Sequence, residues 1–174
     1  MDSHYDQVMQ QRDQTSAGGP ARRYFAYSTI LDRAAFDQWK SEHGYEFFQL
    51  PQGTQAEAVG VGLVYDFPSR WWNGRVAGLE DRPGATVHGV LFEIAPKDWA
   101  IVQHKEGAVT GMCVEREVKV RAGGEEVTAT AFVTNPQRRS LDGPVSQRFL
   151  EALERGARSA GLPDEYVKSL RDAR

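Results

Sequence analysis

The spacing of apolar positions changes several times along the chain, and each change marks an element. Tyr24-Phe25-Ala26-Tyr27-Ser28 is a run of aromatic and small residues that predicts a first strand. Over residues 32–42 the spacing becomes helical. Phe36, Trp39 and Lys40 share a side, Asp32 is placed to cap the helix, and His43-Gly44 to stop it. A period of two takes over at Ala58, where Val59, Val61, Leu63 and Tyr65 alternate with Gly60, Gly62 and Val64. Gly60 and Gly62 inside this strand predict a bulge or a close backbone approach. Pro68-Ser69 and Asn73-Gly74 are turn signals. Residues 75–79 and 86–94 read as two further strands separated by the turn Arg82-Pro83-Gly84. Residues 96–105 predict a helix, with Pro96 in the first turn where a missing N–H is tolerated and Trp99, Ile101 and Val102 as its apolar positions.

Residues 113–121 and 126–134 alternate again around Ala122-Gly123-Gly124-Glu125, which predicts a hairpin. Beyond Pro144 the period is helical: Phe149, Leu150, Leu153 and Ala157 form one side, Gly161 ends the helix, and Pro163 opens another with Tyr166, Val167 and Leu170. Residues 1–22 are different. They are rich in Gln and run into Ser16-Ala17-Gly18-Gly19-Pro20, a composition that predicts a flexible N-terminal tail. Tyr5, Val8 and Met9 are the apolar positions from which a short docked helix would be built. Residues 23–174 then form one domain. Strands with inserted helices and a helical C-terminus predict an α+β fold, a small mixed β-barrel or strongly curved sheet with flanking helices.

Composition narrows the partners. The net charge of −3 creates no basic field for nucleic acid or an anionic membrane, and no apolar run is long enough to span a bilayer. The one cysteine, Cys113, excludes an internal disulfide. The opening residues carry acids and lack the basic-then-apolar pattern of a secretory signal, which predicts a cytoplasmic protein. His4, His43, His88 and His104 have no metal-ligand spacing with one another or with Cys113. Neither a phosphate loop nor a serine nucleophile elbow is present. Trp71-Trp72 would stack on a ligand if exposed, but such a pair is more often core or a subunit contact, which leaves a homodimer open. In Gln103-His104-Lys105-Glu106-Gly107 a glutamate falls at the end of a helix, where the dipole disfavours its charge. Composition alone favours a solvent-exposed residue; placement against local preference points weakly to function.

Five segments in order carry a resemblance. They are Tyr24-Phe25-Ala26-Tyr27 with its loop, Asn73-Gly74-Arg75-Val76-Ala77, Val87-His88-Gly89-Val90-Leu91-Phe92-Glu93-Ile94, and Glu106-Gly107-Ala108-Val109-Thr110-Gly111-Met112 running into Glu117-Val118-Lys119-Val120. The fifth is Gly156-Ala157 with Gly161-Leu162-Pro163-Asp164-Glu165-Tyr166. Together they resemble the γ-glutamylcyclotransferases, AIG2-like proteins with a small mixed barrel. The resemblance implies an intramolecular aminolysis in which the α-amine of a γ-glutamyl group attacks its own side-chain amide. 5-Oxoproline forms, an amino acid or amine leaves, and neither metal nor organic cofactor is needed. It implies Glu106 as general acid/base. It also implies a substrate site formed by Tyr27, Ser28, Thr29, Ile30 and Leu31, with Cys113 and Phe149 beside it. The chain departs from the family's usual Tyr-Gly-Ser-Asn-Leu loop. Ser28 stands where glycine would supply positive φ, and Ile30 replaces a polar residue; Cys113 and Phe149 stand where tyrosines occur. Ile30 and Phe149 predict a less polar pocket and a leaving group of apolar or amine character. The alternative is a non-catalytic small-molecule-binding module on the same fold.

Overall fold

The computed structural model describes residues 3–14 and 19–173. Five strands close into a barrel in the order β1-β3-β2-β4-β5. They are β1 (Arg22–Ala26), β2 (Thr54–Ser69), β3 (Gly74–Ile94), β4 (Cys113–Ala122) and β5 (Glu125–Thr134). All pairings are antiparallel except the closing one, where β1 runs parallel to β5 with Tyr24 opposite Thr130. Among the described residues, five α-helices flank the barrel: α1 (Ser3–Gln14), α2 (Arg33–His43), α3 (Trp99–Lys105), α4 (Gln147–Ser159) and α5 (Asp164–Ser169).

Strand β1 lacks a polar face because it separates two cores. Phe25 and Tyr27 face the barrel interior, where Val61, Tyr65, Val120 and the apolar side of α4 and α5 meet. Tyr24 and Ala26 face a second cluster built from Phe36 of α2, Trp99 and Ile101 of α3, Phe92 and Phe132. Alternation is still present, but both faces are apolar, as in a strand covered on both sides.

Three elements differ from the sequence reading. Strand β2 does not keep one phase. Ala56 and Ala58 point into the barrel, then Val61, Leu63 and Tyr65 do, because the register shifts between Val59 and Val61. Gly60, at φ +76°, is unpaired at that shift, opposite the four unpaired residues 82–85 of β3, so Val59 lies out of phase with Val61. Gly62 is the predicted close approach: a Cβ there would sit 2.3 Å from the Arg82 guanidinium. The strands expected at 75–79 and 86–94 are a single one, β3, which carries the exposed residues 81–84 through a bend. Finally, α1 is a helix where composition predicts a tail. It docks through the apolar positions named above: Val8 is buried in the second cluster, Tyr5 packs on Tyr45, and Arg12 pairs with Asp98 at 3.3 Å. Residues 15–18, also assigned to the tail, lie outside the described residues.

Candidate active site

Helix α3 delivers Glu106. Its amide hydrogen-bonds to the Val102 carbonyl at 2.9 Å, so Glu106 is the last residue of the helical turn. Gly107 follows at φ +82°. Its N–H reaches the His104 carbonyl at 3.2 Å, and the Ala108 N–H reaches Gln103 at 2.9 Å. That pair of bonds is the Schellman closure of a helix, which needs a left-handed residue after the cap. The glycine beside the glutamate is therefore required by the helix end. The same closure holds the Glu106 backbone in one orientation.

The Glu106 carboxylate accepts a hydrogen bond of 2.5 Å from the Tyr24 hydroxyl. Tyr24 reaches it from the second face of β1, its ring held among Phe92, Trp99 and Phe132. Burial pushes the Glu106 carboxyl above its ordinary range, while the charge of Lys105 and the Tyr24 hydrogen bond pull it back. Burial first, and then Glu106, raises the Tyr24 hydroxyl well above its usual value, so it stays a neutral donor. Lys105 is shifted the other way: burial lowers its ammonium, and Glu106 and Cys113 oppose that. These are the directions expected for charged groups taken out of water beside one another.

Glu106 opens onto a cavity of roughly 360 Å3. Ser28, Thr29, Cys113 and Phe149 line the same cavity, although they come from three separate parts of the chain. Ser28 has φ −119°, ordinary extended backbone, and no residue of the 27–31 loop has positive φ. The loop therefore takes its path without the glycine that the family pattern leads one to expect. Cys113 is a neutral thiol: burial and the nearby Glu106 push it up to about 12.

Three of the expected site residues lie elsewhere. Tyr27 is buried, and its hydroxyl donates to the Phe132 carbonyl, tying the start of the loop to β5. Ile30 and Leu31 line a different cavity, with Phe36, Val90 and Phe92. The cause is the tight turn over Thr29–Leu31, which rotates successive side chains by about 120°, so Ser28 and Thr29 face the site and their neighbours do not. Ile30 thus contributes nothing to the polarity of the Glu106 cavity. Its apolar wall comes instead from Phe67, Trp71, Trp72, Trp39 and Met112, together with Phe149. Trp71 is 47% exposed and stands edge-on to Trp72, whose ring in turn packs on Phe149. Among the described residues, no cluster of three or more His, Cys, Asp or Glu is placed to hold a metal ion. Nor is any described helix long and apolar enough to cross a membrane.

A profile of the AIG2-like family matches residues 86–170, which include Glu106-Gly107 and Phe149. A γ-glutamylcyclotransferase of Bos taurus is 32% identical over 161 residues, 91% of this chain and 81% of that protein. The chain belongs to the γ-glutamylcyclotransferase-like, AIG2-like family. The human γ-glutamylcyclotransferase is 31% identical over 105 residues, 59% of this chain and 54% of that protein. A solved γ-glutamyl cyclotransferase structure superposes with a TM-score of 0.71, covering 88% of each chain at 23% identity, a likeness of fold.

Within this family setting, Tyr24 is the contributor to the site that sequence reading missed. Its position marks it as a strand residue, and nothing in a strand pattern tells which tyrosine hydroxyl meets a carboxylate 82 positions away. Trp71-Trp72 did carry a signal, an adjacent aromatic pair after a turn, with core or subunit contact as the plainer explanation. Lys105 carried none beyond its place next to Glu106.

Proposed function

We propose that the protein is a cyclotransferase that converts a γ-glutamyl amino acid or γ-glutamyl amine to 5-oxoproline and releases the amine, with Glu106 as general acid/base. The observation that carries this reading is the Glu106 carboxylate, fixed at a capped helix end, its pKa raised by burial, on the wall of a cavity that stays partly open to solvent. A base poised in this way suits both halves of the reaction. Glu106 takes a proton from the α-nitrogen as that nitrogen bonds to the side-chain carbonyl carbon. It returns a proton to the leaving nitrogen as the old C–N bond breaks. Ring closure also requires the γ-glutamyl chain to be folded, which a cavity walled by Ser28, Thr29 and Phe149 favours. The apolar wall of Phe67, Trp71 and Trp72 supports a leaving group of apolar character.

The test is a panel of γ-glutamyl alkylamines, γ-glutamyl-alanine and γ-glutamyl aromatic amino acids, with 5-oxoproline followed by mass spectrometry. Wild type is expected to turn over the apolar members with the higher kcat/KM. Glu106→Gln is expected to lose about 10²–10⁴-fold in rate while folding normally, because it keeps the side chain's shape but cannot relay a proton. Equal rates for wild type and Glu106→Gln would remove Glu106 from the mechanism. Binding without turnover across the panel would favour the non-catalytic module.

A further inference from the structure

Lys105 is a charged group that the reaction scheme leaves unused. Its side chain lines the Glu106 cavity, and its Nζ lies 5.8 Å from the Trp39 ring centroid. Among the described residues it has no ion-pair or hydrogen-bond partner. Glu106 and Cys113 act on its charge only through space. Among the described residues lining the cavity, Lys105 is the one lysine or arginine, beside Glu106 and two histidines. Among the described residues the half-buried Lys105 ammonium faces the Trp39 ring but pairs with no carboxylate, and a carboxylate brought into such a cavity without a cation is unfavourable.

We infer that Lys105 and Glu106 together form a charge-complementary clamp for a free α-amino-acid head group, Lys105 taking the α-carboxylate and Glu106 the α-ammonium. The two residues are neighbours in the chain and open onto one cavity. The carboxylate and the ammonium of an amino acid are likewise neighbours, attached to one carbon. A negative side chain beside a positive one is the mirror of that zwitterion. The pairing also limits the substrate class: the γ-glutamyl group must carry its α-carboxylate free, whereas the leaving group, lying against the aromatic wall, needs no charge. This inference rests on the reading of Glu106 as the group that meets the α-amine.

The experiment uses three proteins: wild type, Lys105→Met, which keeps the apolar stem without the charge, and Lys105→Arg, which keeps the charge. Calorimetry measures binding of 5-oxoproline and of 2-pyrrolidinone, the same ring without the carboxylate. Wild type is expected to prefer 5-oxoproline by about 10- to 100-fold, the usual value of a charge-assisted hydrogen bond. Lys105→Met is expected to bind the two rings equally and Lys105→Arg to recover the preference. In turnover, Lys105→Met should raise KM for a γ-glutamyl amine by a similar factor, with kcat within a few-fold on the plateau of its pH–rate profile, whose acid limb moves to higher pH because the lost charge no longer restrains Glu106. The matching α-carboxamide should show the same KM with wild type and Lys105→Met. A wild type that does not distinguish the two rings, or a Lys105→Met that still does, overturns the clamp. Turnover with KM unchanged in Lys105→Met overturns it while leaving the cyclotransferase reading intact. Carboxylate-dependent binding that vanishes in Lys105→Met, without turnover of any γ-glutamyl compound, supports the carboxylate site and overturns the cyclotransferase reading.

Discussion

A carboxylate that must both take and give a proton needs a pKa between the extremes set by water and by full burial. Glu106 has opposing influences that produce such a balance: burial raises it, and Lys105 and the Tyr24 hydroxyl restrain it. The hydroxyl donates to the charged form and so favours it. Removing that donor in Tyr24→Phe leaves burial less opposed, and the Glu106 pKa should rise further. The acid limb of the kcat/KM profile, which reports deprotonation of the free enzyme's base, is therefore expected to move to higher pH in Tyr24→Phe. A pH–rate series on the best substrate of the panel checks it, and an unmoved or lowered limb would separate Tyr24 from the base. The ring left by the substitution still fills its place among Phe92, Trp99 and Phe132, so the effect should appear in the profile more than in folding.

At the level of elements, the site loop is held from behind by α4. Gly156 packs so closely on the loop that a Cβ there would lie 2.7 Å from the Asp32 nitrogen and 2.8 Å from the Leu31 carbonyl carbon. One turn of helix presents that contact and the Arg155–Asp32 ion pair, 2.9 Å long, side by side. Two effects oppose each other in Gly156→Ala. Helix propensity alone would stabilise the protein by about 1 kcal/mol. Overpacking against backbone, which cannot swing aside, costs about 1–3 kcal/mol. The steric effect should win, so Gly156→Ala is expected to lower Tm and to reduce kcat/KM as the turn carrying Ser28 and Thr29 is displaced. A thermal melt and a steady-state assay decide it; a raised Tm with unchanged activity would show that α4 does not position the loop.

Across the whole molecule, the second core explains why α1 matters to a site it does not line. Val8 is buried with Tyr24 and Ile101, the same cluster that seats α3 and hence Glu106. Val8→Ala removes two buried methyl groups and leaves a cavity, which costs about 2 kcal/mol. For a chain of this length that corresponds to a fall in Tm of roughly 4–8 °C. A mobile tail would give no change on differential scanning calorimetry, so the measurement distinguishes a docked helix from the composition-based expectation.

The amino-acid sequence by itself determined the kind of fold and the location of the acid. Period-two runs and capped helical runs are local signals, and Glu106-Gly107 at a helix end follows from the left-handed closure such an end requires. The order of motifs around it led to the family. Tertiary structure alone decided what surrounds that acid. The register shift at Gly60 reversed the phase of β2, and a single tight turn sent Ile30 and Leu31 to another cavity while Ser28 and Thr29 stayed. Tyr5, Val8 and Met9 are visible in the glutamine-rich segment, but whether they dock depends on the surface they meet and not on the average of the segment. The Tyr24 hydroxyl on Glu106 and the Lys105 ammonium over the Trp39 ring were equally illegible. Which polar atoms meet across a closed barrel depends on strand register and turn geometry over distances of many residues, and no local pattern in the chain records that.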